Sequence, residues 1–172
     1  ANMELIDIVP EFNLYEEYWK IYTKSEILPP QYFAKESEVE QSIIGEGSDI
    51  YGKVYNSIIG CNVEIGPDTV VRDSIIMNQS EVGEGCEINK TIIAEDTIIK
   101  NNVRTGIGEE VDNETDPHIY NHGLVCIGEK SIVPSGVTIG KNVCVFGETT
   151  DEDYVDKALA SGRTLNKVGG SK

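Results

Sequence analysis

A short phrase returns every 15 to 17 residues: Ser42-Ile43-Ile44, Ser57-Ile58-Ile59, Ser74-Ile75-Ile76 and Thr91-Ile92-Ile93. The interval subdivides. Ile59, Ile65, Val71 and Ile76 step by 6, 6 and 5 residues, and Ile76, Val82, Ile88 and Ile93 do the same. After an interruption, Ile127, Val133, Ile139 and Val145 resume at steps of 6. A unit this short cannot enclose a core alone, so successive units must stack, and three six-residue steps per unit describe a triangular coil. The chain is expected to be all-β, a parallel β-helix of hexapeptide repeats with coils about 4.8 Å apart.

Two residues before most aliphatic anchors stands a compact side chain, among them Ser48, Ser57, Thr69, Ser74, Ser80, Cys86, Thr91 and Thr97. Residues two apart on an extended strand face the same way. The aliphatic member is thus expected to fill the coil and the small one to fit beside a corner. Glycines follow many anchors (Gly45, Gly60, Gly66, Gly83, Gly128, Gly140) and are expected to supply the backbone angles of tight corners.

Thirty acidic against 14 basic residues give a formal charge of −16. That balance argues against a nucleic-acid surface or an anionic-membrane anchor. No run of 18 apolar residues occurs, and the first residues lack a charged-then-apolar leader pattern. A cytoplasmic protein is expected. The four cysteines (Cys61, Cys86, Cys126, Cys144) form no C-x-x-C pair. They read as small buried hydrophobes in a reducing compartment, with Cys86 and Cys144 at or near the inward register.

Residues 1–33 differ in kind from the rest. Met3 to Val9 has the makings of a short helical turn ended by Pro10, an aromatic stretch follows, and Leu28-Pro29-Pro30 enforces an extended segment. Residues 34–148 are expected to hold the β-helix, interrupted at 109–126 by a polar, acidic loop thrown out from a corner. Residues 149–172 are expected to be a short helix, Asp151 to Ala160 with Thr150 or Asp151 as its cap, and a tail. That helix would cover the open end of the stack.

His118 and His122 are the only histidines and both fall in the inserted loop. A loop histidine can serve as the general base of a hexapeptide acyltransferase, or with Asp116 and Cys126 help hold a metal, or be an ordinary loop residue. Lys100, Arg104, Lys141 and Arg163, with Lys167, are scarce positive charges that a phosphate-bearing ligand would require. No phosphate loop, dinucleotide fingerprint or nucleophile elbow is present, and no catalytic residue can be nominated.

The opening stretch, with Ala1-Asn2, Leu14-Tyr15, Trp19 and Leu28-Pro29-Pro30, resembles the interdomain junction of bacterial glucose-1-phosphate adenylyltransferases (ADP-glucose pyrophosphorylases). The runs Asp73 to Met77 and Gly123 to Val143 are also similar to that family. The resemblance covers residues 1 to about 148. It implies a left-handed β-helix preceded by a nucleotidyltransferase domain, of which this chain has neither the glycine-rich nucleotide loop nor the acidic metal ligands. The fragment is then a regulatory and oligomerisation domain, inactive by itself, with no cofactor of its own. The whole enzyme would join ATP and glucose 1-phosphate, with Mg²⁺ in the missing domain, to make ADP-glucose for glycogen biosynthesis. Implied partners are its own nucleotidyltransferase domain, further copies in a tetramer or a paralogous non-catalytic subunit, and a sugar-phosphate effector on Lys100, Arg104, Lys141 and Arg163. Tyr15, Tyr18, Trp19 and Phe33 are the residues implied to pack between domains.

Overall fold

The inward positions are almost wholly aliphatic or small, which leaves a stack of coils as the only way to hide them. The computed structural model describes residues 2–12, 14, 17, 18 and 27–167, and they form that stack. Three parallel sheets make the walls of a prism. The first runs through six strands from Tyr32–Phe33 to Ile132–Val133. The second has seven, from Glu38–Glu40 to Ala158–Leu159, and the third seven, from Ile43–Ile44 to Thr164–Asn166. A complete coil visits all three in turn, as in Glu64–Ile65, Val70–Arg72 and Ile75–Ile76. Strands pair in register with their counterparts one coil later, Ile59 with Ile76 and Ile76 with Ile93, except for a shift between Thr105 and Ile107 where Arg104–Ile107 meets Thr138–Gly140.

The expected inward register is what the structure shows. Ile50, Ile65, Val71, Ile76, Ile88 and Ile99 lie fully buried in one continuous core. Ser48, Ser57, Thr69, Ser74, Ser80 and Thr97 are equally buried beside the corners. Their hydroxyls do more than fit. The Ser48 hydroxyl donates to the Gly60 carbonyl (2.9 Å) and accepts from the Val63 N–H (3.1 Å). Ser80 links the Ala94 carbonyl (2.9 Å) and the Thr97 N–H (3.4 Å) in the same way. Each hydroxyl thus ties one corner to the next coil, and no buried side-chain nitrogen or oxygen is left orphaned among the described residues.

The corner glycines have a different role from the one expected. Gly45, Gly60, Gly66, Gly83, Gly128 and Gly140 do not adopt positive φ; at the corners that conformation falls instead on residues such as Asn62, Asp68, Asp96 and Asn102. What these glycines supply is clearance. A Cβ at Gly45 would lie 2.5 Å from the Gly60 carbonyl oxygen, and one at Gly66 2.7 Å from the backbone of Gly83. Coils at sheet spacing leave no room there for a side chain.

The ends of the array also differ in part from expectation. Met3 to Val9 contains one 3₁₀ turn, Asn2–Ile6, and Pro29 and Gly47 join the extended segment to the first coil (Gly47 N–H to Pro29 carbonyl, 2.7 Å). The first strand, Tyr32–Phe33, already belongs to the stack. At the other end the helix expected over Asp151 to Ala160 is a single 3₁₀ turn, Asp151–Asp153. The chain then adds two more strands, Ala158–Leu159 and Thr164–Asn166. Two forces outweigh helix formation. The edge strands of the preceding coil still need partners, and the Thr138 N–H finds the Lys157 carbonyl (3.0 Å) and the Cys144 N–H that of Arg163 (3.2 Å). Tyr154 is also drawn into the end of the core, its hydroxyl 3.2 Å from that of Thr149.

Candidate interaction face

The outward residues give each wall of the prism its own chemistry. On the first wall Asp49, Glu64 and Glu81 stack in register, an acidic ladder suited to water. On the second, charges pair along the stack: Lys53 with Glu38 (3.2 Å), Arg104 with Glu87 (3.1 Å), and the Arg72 guanidinium 4.2 Å from the centre of the Tyr55 ring. The Tyr55 hydroxyl and Lys53 hold the Glu38 carboxyl below the usual carboxylate range. That wall satisfies itself.

The third wall differs. Ile43, Ile58, Ile75 and Ile92 form an unbroken outward ladder, each half-buried. Three coil spacings make it about 14 Å long. The isoleucine doublets that marked the repeat therefore serve two masters, one isoleucine in the core and one on the surface. Only the inward member was anticipated. The available signal was that Ile-Ile recurs in four successive third-wall strands, whereas the first wall reads Asp-Ile, Glu-Ile and Glu-Val before turning to Ile-Ile at Ile98–Ile99.

Two segments cover parts of this stripe. The 3₁₀ turn Asn2–Ile6 lies against the strand Ile58–Ile59, with Ile6 buried. At the other end the ladder continues through Cys126 and Cys144, which are register partners. Cys144 faces outward rather than inward as expected, yet is buried; the Tyr120 side chain stands beside both thiols and its ring meets Phe146 at a centroid distance of 5.9 Å. Burial pushes the Cys126 thiol up to about 12, and the nearby Cys144 adds to this. Burial likewise raises Cys144, an effect opposed by its hydrogen bond with Tyr120. Raised thiols resist reagents, because the thiolate is the nucleophile. Tyr120→Ala is expected to speed labelling of these two cysteines by a thiol reagent about tenfold or more at pH 8, measured against Cys61 in the same chain. By linkage, a folded thiol raised above its unfolded value stabilises fully below the ordinary thiol range and less as pH climbs towards about 12.

The inserted loop leaves the corner between the second and third walls, between strands Arg104–Ile107 and Val125–Ile127. It is pinned from within. Buried Asn142, at φ 55°, accepts from the Gly123 N–H (2.7 Å) and donates to the Val111 carbonyl (2.8 Å). Asn113, also buried, donates to the Asn142 carbonyl (2.8 Å). Glu114 accepts from the Thr164 N–H (2.8 Å) and pairs with Arg163 (3.2 Å).

The four basic residues expected at a phosphate site do not converge. Lys100 pairs with Asp151 (2.6 Å) at the corner after the first wall, and Arg104 stands on the second wall. Lys141 and Arg163 share the corner that carries the loop. There Lys141 and Lys90, which was not anticipated, flank Gly123 together with Glu110. His118 and His122 are both exposed, His122 at φ 55°. Among the described residues no three His, Cys, Asp or Glu side chains are placed to hold a metal, so the metal reading of the histidines gains no support. Tyr15 and Trp19 lie outside the described residues. Tyr18 is exposed, and Phe33 takes the inward register of the first coil, in register with Ile50. No helix of the described residues is long and apolar enough to cross a membrane.

Comparison with known proteins matches the architecture. Residues 29–127 fit the family model described as "GlmU-like, C-terminal hexapeptide". The chain is 54% identical over 169 residues to a glucose-1-phosphate adenylyltransferase of Lachnospira eligens. It is 41% identical over 169 residues to one of Acetivibrio thermocellus and 44% over 163 residues to one of Thermotoga sp. strain RQ2. These alignments cover 94–98% of this chain but only 38–40% of the relatives, so the chain spans about two fifths of their length. With its hexad coils and its walls of parallel strands, the chain belongs to the GlmU-like C-terminal hexapeptide family of left-handed β-helices.

Proposed function

We propose that this chain is the C-terminal, regulatory and oligomerisation part of a cytoplasmic glucose-1-phosphate adenylyltransferase whose nucleotidyltransferase half lies upstream. One observation carries the reading: nearly all of the chain aligns with proteins of that name while accounting for only two fifths of them. The geometry supports it. The prism is rigid and one wall is apolar. Among the described residues no acidic cluster gathers to hold Mg²⁺, and the ligands for that ion would belong to the upstream half. The whole enzyme would convert ATP and glucose 1-phosphate to ADP-glucose and pyrophosphate, supplying glycogen biosynthesis. This part would join copies, or a paralogous subunit, into a tetramer. Of the basic residues nominated for a sugar-phosphate effector, Lys141 and Arg163 are the pair that share a corner, and donors from the upstream half would complete their site.

The test is pyrophosphate release from ATP and glucose 1-phosphate. The full-length protein is expected to be active and residues 1–172 alone to match the no-enzyme rate. Turnover by the fragment alone would overturn the reading. So would calorimetric binding of acetyl-CoA with an acyl transfer lost in His118→Ala or His122→Ala, which marks a hexapeptide acyltransferase.

A further inference from the structure

We infer that Cys126 and Cys144 form a reversible modification site, a dithiol that a small-molecule disulfide converts to an internal disulfide, and that this bond and the closed inserted loop oppose each other. The inference goes beyond the proposed function and uses no part of it. It starts from register. The two residues are partners on neighbouring parallel strands of the third wall. The Cys126 N–H to the Val143 carbonyl and the Gly128 N–H to the Val145 carbonyl, both 2.9 Å, hold them there. Register partners leave the same face, and adjacent strands lie about 4.8 Å apart. That separation falls within the roughly 4.4–6.8 Å between Cα atoms that a disulfide spans. The other two cysteines have different neighbours: Cys86 lies in the core beside Thr69, and Cys61 sits at a corner beside Asn78. One coil before Cys126 the same outward register holds Ile92, so the ladder changes from isoleucine to thiol where the loop covers it.

The cover favours the reduced pair. The Tyr120 hydroxyl bonds Cys144 Sγ, and its ring packs edge-on against Phe146. Cys144 is 1% exposed and Cys126 half-buried. A disulfide needs its Cβ atoms drawn to about 3.5–4.5 Å, closer than the strand spacing sets them. That closure pulls Cys144 Sγ towards Cys126 and off the Tyr120 hydroxyl. It also strains the bond, which then returns readily to thiols. Oxidation therefore favours the open loop, and whatever holds the loop shut disfavours oxidation by the same factor.

The exchange takes two steps. Cys126, the more open residue, loses its proton to water; its sulfur bonds one sulfur of the small disulfide and expels the other as a thiolate, which is protonated. Cys144 then loses its proton and attacks Cys126 Sγ, expelling the second small thiolate, which is protonated in turn. Two protein thiols are oxidised, and one small disulfide is reduced to two thiols.

Oxidised glutathione added to the full-length protein tests this, with the products read by peptide mapping after alkylation. The expected product is a linked pair of peptides carrying Cys126 and Cys144, reverted by dithiothreitol. Protease cleavage between residues 109 and 124 is expected to run about tenfold faster in the oxidised form. Tyr120→Ala should form the linked pair at least tenfold faster than wild type, and Cys144→Ala should stop at glutathione on Cys126. A wild-type map with both residues still thiols, with glutathione left on Cys126, or with a disulfide through Cys61 would overturn the pair. Unchanged cleavage in the oxidised form, or no faster linkage in Tyr120→Ala, would overturn its opposition to the loop. If either variant cannot be produced folded, the wild-type map and cleavage rate decide alone. Neither readout involves pyrophosphate release, so failure of the function reading would leave this result standing.

Discussion

Ile88→Asp is expected to leave no folded domain at neutral pH. Ile88 is fully buried in the core, in register with Val71 of the preceding coil and flanked along its own coil by Val82 and Ile93. Truncating such a side chain alone costs about 2–5 kcal/mol. A carboxylate in its place adds several kcal/mol more, for no cationic group lies within the core cluster to pair with it. Together these approach the whole stability of a domain, about 5–15 kcal/mol. The carboxyl can escape by staying protonated, which raises its folded pKa. The variant's stability is then greatest at low pH and is lost as pH rises. Urea titration followed by far-ultraviolet circular dichroism checks this. Ile88→Val should fall short of wild type by only about 1 kcal/mol, and Glu84→Lys at an exposed corner should stay within about half a kcal/mol. A midpoint for Ile88→Asp equal to that of Glu84→Lys would show that the inward register is misread.

That register is the part of the molecule most legible from residue order, because it depends only on which side chains avoid water and on a period of two along each strand. The serines and threonines could be placed inward by the same logic. Their ladder of hydrogen bonds could not, since it needs the partner coil 14 residues away, as Ser80 needs Ala94. The glycines show the limit of local reasoning. Gly66 looks like a turn residue in isolation, and only the backbone of Gly83 stacked against it reveals that clearance is the constraint. The last coil was misread for a related cause. Asp151 to Ala160 carries helix-start signals, and the Thr150 N–H does donate to the Asp153 carboxylate (2.7 Å), yet only one turn forms because the exposed strand edges above it claim the chain that follows. The outward isoleucines were in plain view, but a repeat that explains one aliphatic position per strand invites no question about the second. Charge type alone nominated Lys100 with Lys141, and three-sided geometry sets them at different corners.

Asn142→Ala is expected to free the inserted loop while leaving the coils intact. Its side chain meets two backbone groups of the loop, the Gly123 N–H in a buried bond and the Val111 carbonyl in a part-buried one. Leaving the first unpaired costs about 1–3 kcal/mol, while water can replace part of the second. Alanine at φ 55° adds roughly 1–2 kcal/mol of backbone strain. Asn142→Gly separates the contributions, since it loses the same hydrogen bonds and keeps the conformation without strain. A local opening made easier by about 3 kcal/mol raises the open population on the order of a hundredfold. Two readouts follow from one opening. Protease cleavage between residues 109 and 124 should accelerate by that order. Cys126 and Cys144 should also become as reactive as in Tyr120→Ala, because the loop that Asn142 holds is the one that carries Tyr120 over them. Asn142 also stands two residues before Cys144, so Asn142→Gly, which keeps the backbone conformation, is the variant in which both rates must rise together. Faster cleavage with thiols still protected would mean that Tyr120 holds its place without the pin.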